Sequence, residues 1–81
     1  MFEVSRMPKV GDIYEYYEND YLYEVVMFAY NSEKDENCII YKQLFYCTVG
    51  YFVESSRDFL GDVIIDGKSV KKFKLRGIRQ P

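Results

Sequence analysis

The residues of this 81-residue chain best equipped for chemistry are its nine tyrosines and the six cations of its last fifteen positions. Phenol rings stack on bases and other planar ligands, and ammonium and guanidinium groups hold phosphates. On this reasoning Tyr16, Tyr30, Tyr51 and Phe52 are candidates for stacking, and Arg57, Lys72, Lys74 and Arg76 for gripping an anion. The plainer reading of any one ring is cover for a small core, with its hydroxyl left in water.

Other chemistries lack their parts. There is no histidine, which removes the commonest general base and the commonest neutral metal ligand. Cys38 and Cys47 lack the close spacing of zinc ligands, and neither has a base nearby in sequence. Asp62 and Asp66 bracket a strand without the spacing of a calcium loop. Ser55-Ser56 has no histidine partner, no Gly-x-x-x-x-Gly-Lys loop cradles phosphate, and no spacing nominates a carboxylate pair. The expectation is a protein that is not an enzyme, with no catalytic residue, no metal and no cofactor.

The elements that must position the rings and cations fit into one domain. A 9.7 kDa chain builds one small core. With 48% hydrophobic and 30% charged residues, its balance is that of a globular protein. The longest apolar run, Val25-Val26-Met27-Phe28-Ala29-Tyr30, is far short of a membrane span, and the first ten residues show no signal-peptide core. Two cysteines are too few for a disulfide scaffold, so free thiols in a reducing cytoplasm are expected. The expected layout is a lead over 1–10, a domain over 11–76 and a tail over 77–81.

Alternation and turn chemistry read as all β. Ile13 to Tyr17 is rich in strand formers, with a turn at Glu18-Asn19-Asp20. Tyr21 to Tyr30 and Cys38 to Thr48 form a hairpin around the polar run 31–37. Val49-Gly50 turns the chain into Tyr51 to Glu54, and Ser55 to Leu60 suits a cap or a short 3-10 turn. Asp62 to Ile65 is a further strand, and Asp66-Gly67 favours a type I′ turn. In Lys72 to Arg76, Phe73 and Leu75 face inward and three cations outward. Both faces of strand 21–30 are largely apolar, so it lies centrally or bends across two sheets. Five or six strands with one long hairpin predict a mainly β fold, an SH3-like half-open barrel, with an OB-type barrel as the alternative.

An ordered set of residues resembles a known family. Gly11-x-x-Tyr14, Tyr23-Glu24-Val25, Ala29, Tyr41, Leu44, Gly50-Tyr51-Phe52-Val53, Phe59 and Val63-x-x-Asp66-Gly67-Lys68-x-Val70-x-x-Phe73 recur in sequence. Over roughly residues 11–75 the chain resembles domain-of-unknown-function family 1653, found in bacteria and phages. The resemblance implies a compact SH3-like β domain without an established activity. Where the family commonly has a His-Tyr-Lys-Gly-Asn turn, this chain has Tyr16-Tyr17-Glu18-Asn19-Asp20. Tyr30 stands at another common histidine, and Phe52-Val53-Glu54-Ser55 replaces Trp-Val-Arg-Pro. No role of the family's histidines or of that arginine carries over.

Charge divides the chain. Residues 1–66 carry all thirteen acids and five bases, a net −8, whereas residues 67–81 carry six bases and no acid, a net +6. A cationic block can be an anion footprint or a solvated edge strand guarded by lysines. The acidic remainder disfavours double-stranded DNA. The first expectation is therefore a non-catalytic module binding an anionic, base-containing ligand: a nucleotide signal, which a phage protein could sequester, or single-stranded nucleic acid. The alternative is a protein–protein adaptor or inhibitor using acids such as Glu33, Asp35 and Glu36. A homo-oligomer is compatible with either, and no membrane partner is expected.

Overall fold

The computed structural model describes residues 7–45 and 50–78. Alternation in the first strand formers produces β1 (Asp12–Tyr16), with Tyr14 buried. A tight turn follows, in which Asp20 takes a left-handed φ of 62° and the Asn19 side chain accepts from the Tyr21 N–H at 2.9 Å. The chain then runs through β2 (Leu22–Asn31) and back through β3 (Glu36–Gln43). The Asn31 carboxamide oxygen accepts from the N–H groups of Glu33 and Lys34 at this hairpin's tip. β3 ends earlier than the expected Thr48. Phe45 has a left-handed φ of 64°, and Tyr46 to Val49, with Cys47 among them, lie outside the described residues.

β4 (Phe52–Ser55) leads into α1 (Ser56–Phe59), a single turn capped by Ser55, whose hydroxyl accepts from the Asp58 N–H at 3.1 Å. The expected 3-10 turn is thus an α turn at the same place. β5 (Asp62–Ile65) and β6 (Lys68–Lys71) form a hairpin whose Asp66 and Gly67 take φ of 51° and 78°. Positive φ at both positions is what a type I′ turn requires. β7 (Phe73–Ile78) ends the described chain.

The strands form one antiparallel five-stranded sheet in the order β4-β3-β2-β1-β7, plus the separate β5-β6 pair. The larger sheet curls into an SH3-like half-open barrel. There are seven strands rather than five or six, because Lys72 interrupts the basic segment and divides β6 from β7.

β2 lies in the middle of the sheet, as its two apolar faces suggest. Its parity does not run through unbroken: Val25 pairs with Tyr41 and Met27 with Ile40, which leaves Val26 as a bulge. Val25 is consequently buried while Met27, of the same parity, is exposed. A second irregularity, between Ile13 and Tyr14, leaves Arg76 as the extra residue on β7.

Most of the core is aromatic. Tyr14, Val25, Ile39, Tyr41, Phe59 and Phe73 are buried together, with Tyr16, Tyr23, Phe52 and Leu75 packed against them. Phe59 and Phe73 stack with centroids 4.2 Å apart and planes at 6°. The Tyr14 edge meets Phe59 at 5.0 Å, and Tyr41 meets both phenylalanines. Phe59 is wholly buried and joins the one-turn helix to the last strand. Its truncation leaves a cavity costing ~3–5 kcal/mol, where each kcal/mol lowers Tm by ~4–8 °C in a domain this small. Phe59→Ala is expected to lower Tm by at least about 12 °C in a circular-dichroism melt. A fall of only a few degrees would show that the helix is not held through this ring.

Candidate functional site

Of the eight residues nominated from sequence, Tyr16 and Lys74 meet at one recess. The end of β1 brings Glu15, Tyr16 and Tyr17 to it, the following turn brings Asp20, and the β6–β7 segment brings Val70, Lys71 and Lys74; the recess holds about 190 Å³. The Tyr17 N–H donates to the Lys72 carbonyl at 3.0 Å, which ties the two sides together. The Tyr16 and Tyr17 rings lie 4.9 Å apart at 56°. Burial, together with the neighbouring Tyr17 and Glu18, raises the Tyr16 pKa, so its hydroxyl stays a donor at neutral pH.

Two of the other nominated cations are already engaged. Lys72 turns inward and donates to Glu54, so only two of the three cations expected to face outward, Lys74 and Arg76, are exposed. Arg76 pairs with Glu15 at 3.2 Å. Lys71 and Lys74 make no ion pair among the described residues. With Glu15 matched by Arg76, two free cations face one free carboxylate, Asp20, across the recess.

Glu54 is shared. Its other oxygen accepts from the Tyr41 hydroxyl at 2.7 Å, so Tyr41, Glu54 and Lys72 form a chain at the inner face of the sheet. Phe52 stacks on Tyr41 at 5.5 Å and 19°, which places it in the core cluster rather than in a free groove. Burial and the Glu54 hydrogen bond push the Tyr41 hydroxyl well above the ordinary tyrosine pKa. Burial works against the Lys72 ammonium, but Glu54 outweighs it and leaves the Lys72 pKa raised.

The other nominated residues stand elsewhere. Tyr30 borders a shallow groove with Ala29, Asn31, Cys38 and Val53, and Tyr51 is 65% exposed ahead of β4. Arg57, on α1, lines a polar recess with Lys34 and Asp35 at the tip of the β2–β3 hairpin. Glu33, Asp35 and Glu36 stand at that tip with Lys34 among them. The nominated set leaves out Tyr17, although it stands beside Tyr16 at the first turn, and Lys71. The signal for Lys71 was present, since it belongs to the same cationic block. Cys38 is a buried free thiol. Among the described residues no three His, Cys, Asp or Glu side chains cluster as metal ligands. No helix among them is long and apolar enough to cross a membrane.

The model of the family described as "Protein of unknown function (DUF1653)" matches residues 12–75, from the first residue of β1 to the middle of β7. The chain belongs to this family. No curated protein and no solved structure matches it. The DUF1653 region thus takes in the recess residues, both partners of the Glu54–Lys72 pair and the β5–β6 hairpin, and leaves Arg76 just outside. In this DUF1653 member the segment from Tyr16 to Asp20 supplies Tyr16, Tyr17 and Asp20, three of the recess's seven lining residues.

The Tyr41–Glu54–Lys72 chain sets an alkaline limit on stability. Tyr41 and Lys72 keep their protons in the folded state past the pH at which the unfolded chain releases them. The stability they confer is therefore intact below about pH 10 and is lost as pH rises beyond it. Urea unfolding is expected to show a falling free energy above about pH 10. Tyr41→Phe is expected to cost ~1.5–3 kcal/mol at neutral pH, the worth of a hydrogen bond to a charged group, and to flatten the alkaline fall. An unchanged alkaline slope in Tyr41→Phe would refute this account.

Proposed function

We propose that this protein is a non-catalytic binding module for an anionic ligand carrying a planar ring, such as a nucleotide or one nucleotide of a single strand. The observation that carries the reading is the recess in which the Tyr16–Tyr17 pair stands beside Lys71 and Lys74, the two cations there without an ion pair. A planar ring packs against tyrosine, and the ammonium groups meet the phosphate. At about 190 Å³ the recess is smaller than the ~300–1,000 Å³ typical of drug-sized ligands, which suits one ring system with its phosphate. Lys72 and Arg76 are positioning groups in this reading. They hold Glu54 and Glu15 and leave the anion to Lys71 and Lys74.

Fluorescence anisotropy with a labelled oligothymidine, and calorimetry with adenosine and guanosine monophosphates, test the reading directly. Binding to at least one probe is expected, weakening as salt increases. Tyr17→Ala is expected to weaken it by about tenfold, the equivalent of ~1.4 kcal/mol of stacking. Lys71→Glu with Lys74→Glu is expected to abolish it while the melting curve stays that of a folded domain. Wild-type protein that ignores every probe, or a double variant that binds as before, refutes the assignment.

A further inference from the structure

The two edges of the five-stranded sheet are built differently. At one edge, β7 carries the exposed Lys74 and Arg76 and a bulge at Arg76, the usual devices that keep an edge from pairing with another chain. At the other, β4 reads Phe52-Val53-Glu54-Ser55, and no described strand lies beyond it. Its one charge, Glu54, is turned inward onto Lys72 and Tyr41. In an antiparallel pair, alternate residues of an edge strand direct their N–H and C=O groups away from the sheet. Among the described residues, no strand pairs with this outward set of donors and acceptors on β4.

Two rows of the outer face beside this edge carry no charge. By register Met27, Ile40 and Val53 form one row across β2, β3 and β4, and Ala29, Cys38 and Ser55 form the next. Met27 is 50% exposed and Val53 62%. A groove of about 350 Å³, lined by Ala29, Tyr30, Cys38 and Val53 together with Asn31, Ser32 and Glu33 of the hairpin tip, opens beside these rows. Tyr51, two residues before Val53 and of the same parity, stands in solvent at the strand's entrance.

We infer that β4 is a dimerisation edge, on which a second copy of this chain adds its own β4 antiparallel about a two-fold axis at Val53. The register is self-complementary. Val53 faces Val53 of the second copy, and the Met27–Ile40–Val53 row continues unbroken into its twin. Ser55 faces Tyr51 of the second copy, which brings that exposed ring to the border of the Ala29–Cys38–Val53 groove. Glu54 faces Phe52, so no two like charges meet across the seam. An isologous contact of this kind closes on itself as a dimer. This inference does not depend on the recess at Tyr16 and Lys74, which lies toward the opposite edge of the sheet.

Light scattering after size exclusion, over a range of loading concentrations, tests it. The wild-type protein is expected to move from the 9.7 kDa monomer toward twice that mass as concentration rises. Val53→Lys sets two ammonium groups against each other and is expected to remain monomeric at every concentration, with an unchanged far-ultraviolet spectrum. Tyr51→Asp lies outside the strand and is expected to weaken association by about tenfold, which settles the matter even if the lysine variant fails to fold. A wild-type monomer at all concentrations overturns the inference. So does dimerisation of the folded variants at wild-type strength.

Discussion

The stack of Phe59 on Phe73 is the contact on which the rest of the molecule depends. A helix of one turn and a strand at the sheet's edge have little reason to stay in place by themselves. Each is anchored by a single buried ring, and the two rings lie flat against each other at the centre of the core. Tyr14 and Tyr41 close around that pair from β1 and β3, so one aromatic cluster reaches four elements. A small domain buries a limited share of its surface, and large rings are an economical way to fill a shallow, curved sheet.

Around this centre the polar groups of the bowl are matched rather than left open. Glu54 is the meeting point, accepting from Tyr41 on one side and Lys72 on the other. Lys72 also bonds through its backbone to Gly61 and Tyr17, so the residue between the β5–β6 hairpin and β7 is fixed by main chain and side chain together. A cation that looks available in the sequence is thus part of the frame. The Glu15–Arg76 pair performs the same service on the β1–β7 seam. Both pairs subtract from the cationic block, and Lys71 and Lys74 are the cations left free at the recess.

Much of this was legible in the residues. The Asp66-Gly67 turn, the Ser55 cap, the long hairpin and the inward Phe73 follow from local chemistry, and each stands where spacing puts it. The half-open barrel follows from the strand count and the family resemblance together. What local chemistry does not encode is register between strands distant in sequence. The bulge at Val26 exchanges the faces of β2, so Met27 is exposed where parity alone pairs it with the buried Val25. Nor does composition say which tyrosine is core. Tyr41 and Phe52 stack against each other, while Tyr30 and Tyr51 remain in solvent. The recess was half legible: Tyr16 and Lys74 were readable as candidates, but their meeting depends on the β1–β7 pairing.

That pairing also fixes an order of events during synthesis. β1 leaves the ribosome before every other described strand and β7 after them all, yet the two are neighbours in the finished sheet. The β2–β3 hairpin joins segments close in the chain and can form while translation continues. One flank of β1, and the Phe59 ring waiting for Phe73, stay uncovered until β7 emerges. Aromatic surface therefore stays exposed until β7 has followed the other strands, and only then does the core close.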